Sequence, residues 1–341
     1  MITIREVARA AGVSVATASR ALNDSVLVTA ETRARVQEAA SQLAYSPHGA
    51  ARSLITSRTH TIGVLLPDLY GEFFSELIRG IDHAAHTAGF HLLVSSARHR
   101  GPPLEAALRS MRGRVDGLLL MCPEFTREMS GRTLPGGFPV VLLNCPPPAA
   151  DCDSLSVANY DGAFAMVRHL VGLGHRRIAI IQGAEGNFDA QERLRGYRAA
   201  LAEAGIPTSA ELEAPGDFSE ASGHRAIHRL LELARRPTAI FAANDSMAVG
   251  ALSALRDAGL RVPEDIALGG FDDIPMARYM TPALTSVHVD ISALGARAAT
   301  RLFEGLRHPA ERAPITEILQ TTLVIRHSCG ARTTTPRRDP V

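Results

Sequence analysis

Apolar residues recur along this chain with two different periods. From residue 4 to residue 43 they come three and four apart in short stretches: Ile4, Val7, Ala8 and Ala11, then Ala18, Ala21 and Leu22, then Val36, Ala40 and Leu43. That spacing collects each set on one face of a helix. Thr3 and Glu6 have the spacing of a capping box. Gly12 ends the first helix and Ser14 begins the second. Thr29 can cap a third, where Glu31 suits the helix dipole. Three short helices with a glycine turn between the first two predict a helix-turn-helix; the plainer alternative is a small helical bundle. The second helix turns Val15, Ala16, Ser19 and Arg20 away from the core stripe. Small side chains allow close approach to a DNA major groove, and a guanidinium can bond a guanine edge with two hydrogen bonds.

From residue 61 the pattern changes to short apolar runs alternating with amphipathic stretches. Strands are predicted at 62–67, 91–95, 115–121 and 139–143, with helices between them, the clearest over 73–88 and ended by Gly89. A second series gives helix 161–173, strand 178–182, helices 193–204 and 219–234, strand 238–242, helix 246–258 and strand 266–271. A last helix falls near 294–306 and a last strand near 319–325. Such alternation means parallel sheets covered on both faces, here two doubly wound α/β lobes behind an all-α head. The expected domains are a head at 1–45, a linker at 46–60 and a core at 61–326. Within the core, one lobe takes 61–158 plus 289–318 and the other 159–288 plus 319–326. Residues 327–341 lack apolar periodicity and read as a disordered tail. Pro47 can open a helix in the linker, but the segment is shorter than the ~12–15 residues at which isolated helices become marginal. Gly49 weakens it by about 1 kcal/mol relative to alanine. The segment reads as a flexible linker on its own and as a hinge that folds only when bound.

Composition narrows the class. The 341 residues are 46% hydrophobic and 21% charged, as in ordinary globular proteins, and no apolar run approaches the roughly 20 residues needed to span a bilayer. No secretory signal pattern opens the chain, so a cytoplasmic location is expected. Cys122, Cys145, Cys152 and Cys329 lack metal-site spacing, and His83, His86, His91 and His99 fall on helix surfaces or in loops; neither metal nor cofactor is expected. The net charge is only +1, but residues 1–58 hold seven arginines against four acids, a net of +3, which leaves −2 for the rest. A basic head on a neutral body suits a nucleic-acid module joined to something else.

Ligands of open parallel sheets bind beyond the carboxyl ends of the strands. Those ends carry Asp68 and Tyr70, then Asn144, then Asn244 and Asp245, then Asp272 and Asp273. Arg193 opens a predicted helix, Phe218 another, and Phe73 and Phe74 a third, one of the last two serving the core. Carboxylates, a carboxamide, a guanidinium and aromatic faces suit a small polyhydroxylated ligand, whose hydroxyls donate to Asp and accept from Arg and Asn. Asp245 is expected to cap the next helix instead, and Asp273 reads equally as a ligand contact or as structural. No Gly-x-Ser-x-Gly elbow, Walker A loop or metal motif is present, so no catalytic residue is assigned and binding without turnover is expected. A transport binding protein is opposed by the head and by the missing signal pattern.

The run Thr-Ile-Arg-Glu-Val-Ala-x-x-Ala-Gly-Val-Ser-Val-Ala-Thr-Ala-Ser-Arg-Ala-Leu-Asn over 3–23 is a specific pattern. It is followed by Val28-Thr29-x-Glu31-Thr32-Arg33, Tyr45-Ser46-Pro47 and Ala51-Arg52-Ser53-Leu54. With Ile62-Gly63-Val64, Val115-Asp116-Gly117, Gly174-His175-Arg176-Arg177-Ile178, Asn244-Asp245 and Thr281-Pro282-Ala283-Leu284-Thr285, it resembles the lactose/galactose repressor family of bacterial transcription regulators over nearly the whole chain. The resemblance implies a helix-turn-helix head, a hinge helix and a core like type I periplasmic binding proteins. The molecule would act on the nucleoid as a homodimer on a near-palindromic operator. A small effector in the interdomain cleft would control it, a sugar being favoured and a purine or other metabolite the alternative. By position, Val15, Ala16 and Arg20 would meet bases, and Ser14, Thr17 and Ser19 would hold phosphates or the helix start. Arg52 would contact DNA from the hinge, and Leu54 would wedge into the minor groove. Arg193 and Asp272 would bind effector and Phe218 would line the site, while Asn244 matches sugar-responsive members better than purine-responsive ones. Asp68, Tyr70, Phe73, Phe74 and Asn144 complete the expected effector set. Gly49 departs from the better helix formers usual in the hinge. The tail lacks the leucine heptads of the tetrameric member, which implies a dimer.

Overall fold

A computed structural model describes residues 2–23, 27–45, 58–96, 104–123, 138–146, 152–308 and 313–331. The chain divides into two compact units, 1–60 and 61–341. The linker with Gly49, Arg52 and Leu54, like His99 and residues 332–341, lies outside the described residues.

The head holds α1 (Ile4–Ala10), α2 (Val15–Leu22) and α3 (Ala30–Gln42). Glu6 accepts the Thr3 backbone N–H at 2.7 Å and its hydroxyl at 2.9 Å, and these bonds hold the Glu6 carboxyl below its usual range. Gly12 takes φ +65° between α1 and α2, a conformation in which a Cβ would be strained. Ser14 Oγ then caps α2 by accepting the Thr17 N–H at 3.0 Å. Val7, Ala8, Ala11, Ala18, Ala21, Val28, Val36, Ala39 and Ala40 form the buried centre, with Ile4, Leu22 and Leu43 packed around it. Alanines in that core bring three short helices close together, since they cost no side-chain entropy.

The second unit contains two six-stranded sheets. Its first elements are β1 (Thr61–Leu66), α4 (Glu72–Ala88), β2 (His91–Ser96), α5 (Leu104–Met111), β3 (Gly117–Met121), β4 (Val140–Leu143) and β5 (Asp153–Val157). Then come α6 (Asn159–Gly172), β6 (Ile178–Ile181), α7 (Phe188–Glu203), β7 (Glu213–Ala214), α8 (Glu220–Leu231), β8 (Ala239–Ala242), α9 (Asp245–Asp257) and β9 (Ala267–Asp272). β10 (Thr285–His288), α10 (Ile291–Arg307), β11 (Thr316–Leu319) and β12 (Thr322–Val324) complete it. The first sheet runs β11-β5-β4-β3-β1-β2 and the second β12-β10-β9-β8-β6-β7. All described pairings are parallel except β10 with β12. Strands β3, β4, β6, β8 and β9 are buried along their whole length, as expected of parallel sheets covered on both faces.

The chain therefore passes between the sheets three times, at β5 to α6, β10 to α10 and β11 to β12. Helix α10 returns to the first lobe, where Gly80 of α4 and Gly295 of α10 let the two helices touch; a Cβ at Gly80 would overlap the Ser292 carbonyl. Arg301 of α10 also grips Asp153 at the start of β5 with two nitrogens, at 2.9 and 3.0 Å.

Several expectations need correction. The predicted strand near 319–325 is two strands, β11 and β12, which join different sheets across Gln320 and Thr321. The tail does not begin at His327. Ser328 and Cys329 are buried, and Ser328 Oγ donates to the Leu268 carbonyl at 2.6 Å and accepts the Thr285 N–H at 2.8 Å. Polar bonding holds this turn, which is why apolar periodicity missed it. The helix expected to open at Arg193 opens at Phe188, capped by Asn187 Oδ1 on the Ala190 N–H at 3.0 Å. The cap of α9 is Asn244, whose Oδ1 accepts the Met247 N–H at 2.9 Å; Asp245 is not the cap. Strands β5, β7 and β10 were not predicted.

Candidate functional site

Two regions carry the chemistry. In the head, Ser14, Val15, Ala16 and Arg20 are exposed, while Thr17 and Ser19 are half-buried. Thr17 Oγ1 lies 2.8 Å from Ser14 Oγ, and the Ser19 carbonyl accepts from Asn23 Nδ2 at 2.9 Å. Val15 is 43% exposed although the sequence offers room inside. An uncovered valine, an alanine and an arginine on one helix face leave a surface small enough to enter a groove, with one long donor.

In the second unit a cleft of about 500 Å³ opens beyond the carboxyl ends of the strands. The loop after β1 and the first turn of α4 give Asp68, Tyr70, Phe73 and Phe74; Asp189 and Arg193 come from α7; Phe218 precedes α8, Asn244 precedes α9, and Asp272 ends β9. Hydrogen bonds among the described residues join the lobes beside it, from the Met276 N–H to Glu72 Oε2 at 2.9 Å and from the Phe188 N–H to the Pro123 carbonyl at 3.1 Å.

Arg193 organises the floor. It is 4% exposed, donates from Nε to Asn159 Oδ1 at 2.8 Å and from Nη1 to the Ala243 carbonyl at 2.5 Å, and lies 3.2 Å from Asp272 Oδ1 through Nη2. Its guanidinium stacks on the Phe271 ring at 3.7 Å and lies 5.8 Å from the Phe218 ring centre. Asn159 Nδ2 donates to Asp189 Oδ1 at 2.8 Å, so one carboxamide joins carboxylate to guanidinium. The contact with Arg193 Nη2 is an ion pair rather than an aligned hydrogen bond, so the buried Asp272 Oδ1 keeps capacity for a further donor. A buried carboxylate oxygen with that capacity can accept from a ligand. Asp272 holds φ +103° and Asp273 φ +53°; strained backbone of this kind persists where neighbours over-determine it. Here Asp273 faces His288 Nδ1 at 3.1 Å and Arg326 Nη1 at 2.7 Å, pointing away from its neighbour's partner.

Burial raises both floor carboxyls. Asp189 is pushed up to about 6, with the Asp272 charge adding to the shift and Arg193 opposing it; Asp272 is also pushed up to about 6, again against Arg193. Asp245 is raised well above its ordinary value by burial and by the charge of Asp272. It accepts from Ser286 Oγ at 2.7 Å and the Ile274 N–H at 2.9 Å, which fixes the chain on either side of Asp272.

The cleft thus brings together Asp68, Tyr70, Phe73, Phe74, Arg193, Phe218, Asn244 and Asp272. Phe73 and Phe74 both line it, in edge-to-face contact at 5.5 Å, so neither is given over to the core alone. Asn144 is not among the lining residues: the side chain is fully buried, with φ +47°, and its carboxamide acts on Asp189 of the floor, where it opposes the rise in that carboxyl. Asn244 spends its carboxamide on the α9 cap and on the Phe218 carbonyl, 3.1 Å from Nδ2. Phe218, at φ +69°, lies against Gly183, where a Cβ would overlap its ring. Sequence reasoning missed Asp189, Asn159 and Asn187. The signal available was Asn187-Phe188-Asp189, a helix cap with an acid in the first turn.

Comparison with known proteins agrees with this division. Residues 3–48 match the family model described as bacterial regulatory proteins, lacI family, and residues 167–329 match the periplasmic binding protein-like domain. The chain is 37% identical to the ribose operon repressor of Escherichia coli (strain K12), over 94% of this chain and 98% of that one. It is 34% identical to the HTH-type transcriptional repressor PurR of Pasteurella multocida (strain Pm70), over 97% and 100%. A solved lac repressor dimer bound to operator and the anti-inducer ONPF matches with a TM-score of 0.85 at 29% identity, over 97% of this chain and 99% of that one. With a head built for a groove and a two-lobed core built around a polar cleft, the chain belongs to the lacI family of bacterial regulatory proteins.

Proposed function

We propose that this protein is a repressor that binds a near-palindromic operator as a homodimer and is controlled by a small polyhydroxylated effector, a sugar, in its cleft. The observation that carries the effector reading is Arg193 set between Asp272 and aromatic faces at the floor of a cleft of about 500 Å³. Adjacent hydroxyls of a sugar donate to the carboxylates, accept from the guanidinium and lay C–H faces on Phe73, Phe74 and Phe218. A purine is the second reading, favoured by those three rings and by the PurR relative. The four carboxylates in the lining and the sparse donors weigh toward a ligand that mainly donates, which a sugar does.

On the DNA side, Val15 and Ala16 offer apolar contact to thymine methyls and Arg20 reaches a guanine edge. Ser14, Thr17 and Ser19 serve phosphates or the helix start. Residues 1–45 are the reading head, 46–60 the hinge with Arg52 and Leu54, and 61–326 the effector-binding and dimerising core. Effector and operator can be coupled only through a difference in effector affinity between the two closures of the lobes. Binding without turnover in the cytoplasm, on the nucleoid, is the expected role.

The test selects operators from random DNA with the full-length protein, then measures their affinity by fluorescence anisotropy with and without sugars and purines. A near-palindromic site, and a sugar response that Arg193→Ala abolishes while operator binding persists, are expected. No sequence preference, conversion of a bound sugar to product, or a normal sugar response in the variant overturns the proposal.

A further inference from the structure

Among the described residues lining the cleft four are acidic, Asp68, Asp189, Asp217 and Asp272, and one, Arg193, is basic. Their commitments differ. Asp68 Oδ1 accepts the Leu69 and Tyr70 N–H groups at 2.6 and 3.2 Å. Asp217 is turned to Ser219, whose N–H it accepts at 2.9 Å, and to Arg225 at 3.4 Å. Asp189 and Asp272 remain as the acids of the floor, each about 5% exposed or less. They share a single cation. Three of its nitrogens are already engaged, with Asn159, Ala243 and Asp272, and Asp272 Oδ1 meets it as an ion pair without an aligned hydrogen bond.

Asp189 tips this balance. Without it the floor is one guanidinium against one carboxylate, electrically even. With it the floor carries an excess of acceptors, and a second negative group must enter a site with no cation to spare among the described lining residues. We propose that Asp189 makes the cleft selective for uncharged polyhydroxylated ligands and excludes their phosphorylated and carboxylated counterparts. The inference rests on the sugar reading of the same cleft. Hydroxyl pairs donate to Asp189 and Asp272 and gain charge-assisted hydrogen bonds. A phosphate or carboxylate on the same skeleton meets those groups as like charge in a poorly solvated place, where juxtaposition costs several kcal/mol or on the order of a hundredfold or more in affinity. Asp189→Asn keeps an acceptor for Asn159 and removes the excess charge.

Isothermal titration of the full-length protein with D-ribose, D-glucose and D-galactose, and with ribose 5-phosphate, the hexose 1- and 6-phosphates, glucuronate and hypoxanthine, tests this. At least one free sugar should bind about a hundredfold more tightly than its phosphate or uronate. In Asp189→Asn that ratio should fall to about tenfold or less, with the free sugar weakened several-fold. A phosphate that binds as well as its parent sugar overturns the proposal in the wild-type protein alone, whether or not the variant folds; an unchanged ratio in a folded variant also overturns it. Hypoxanthine binding with no sugar binding overturns the sugar reading as well, whereas sugars that bind without discrimination overturn only the role of Asp189.

Discussion

Replacing Arg193 with methionine should destabilise the core more at pH 8 than at pH 5. The side chain fills much of the same space and can still lie on Phe271, so the change isolates the charge and its donors. At pH 5 the loss is the two buried acceptors left behind, Asn159 Oδ1 and the Ala243 carbonyl, about 1–3 kcal/mol together if one is partly rescued by water. The carboxyls add nothing at that pH. Asp189 and Asp272, pushed up to about 6, are mostly protonated in the folded protein, and removing a cation that favours their ionised form changes little. Above pH 6 the wild type ionises them against Arg193, while the variant must hold them protonated or bury them unpaired. A raised folded-state carboxyl pKa costs stability that accumulates as pH climbs from the unfolded to the folded value; the variant extends that climb. The deficit at pH 8 should reach about 3–5 kcal/mol, the usual result of breaking a buried ion pair from one side. Urea unfolding followed by circular dichroism at 222 nm, at both pH values and without ligand, measures it. A deficit that is equal at pH 5 and pH 8, or below about 1 kcal/mol at pH 8, would refute the view that Arg193 neutralises the cleft floor.

Other outcomes follow from the same geometry. Arg20→Ala should weaken operator binding by about 1–3 kcal/mol and lower discrimination over random DNA, read by anisotropy in competition; undiminished discrimination removes Arg20 from base contact. Affinity for a free sugar should rise with pH, because a carboxyl pushed up to about 6 accepts a charge-assisted bond from a hydroxyl only once ionised; the ionised fraction grows about tenfold from pH 5 to pH 7.5 for each such group, and calorimetry in two buffers of different ionisation enthalpy should register proton release. Gly183→Ala drives a methyl into the Phe218 ring, so it should blunt the sugar response while leaving operator affinity without effector unchanged. Ser328→Ala removes bonds to the Leu268 carbonyl and the Thr285 N–H and should cost about 1–3 kcal/mol in urea unfolding.

Much of this was legible because its physics is local. The α4 stripe and its Gly89 stop, the cap at Ser14 and the apolar runs of β1, β3 and β8 each sit within a few residues of one another, and the polar residues closing those strands mark the cleft. What stayed hidden depends on distance along the chain. Asp189 draws its meaning from Asn159, 30 positions earlier, and from Asp272 across the lobe. Asp245 looked like a cap because it follows a strand, yet its carboxylate points inward to Ser286, 41 positions away. β5, with Asp153, Ser154 and Ser156 among its five residues, has too little apolar content to announce a strand; its neighbours in the sheet make it one. Asn144 follows a strand as the cleft residues do, but it is fully buried at φ +47°, a depth that its place in the sequence does not announce.

The three crossings between sheets have a consequence for synthesis. The first sheet takes its edge strand β11 and its covering helix α10 from residues 291–319, after the whole series β6 to β10 of the other lobe. As the chain leaves the ribosome, the lobe begun first is completed last: Asp153 waits 148 positions for Arg301, β5 waits longer for its outer neighbour β11, and Gly80 of α4 faces no Gly295 until α10 has emerged. A message cut short between β5 and α10 yields a head whose three helices have all their own core residues, followed by a lobe that lacks its edge strand and its covering helix.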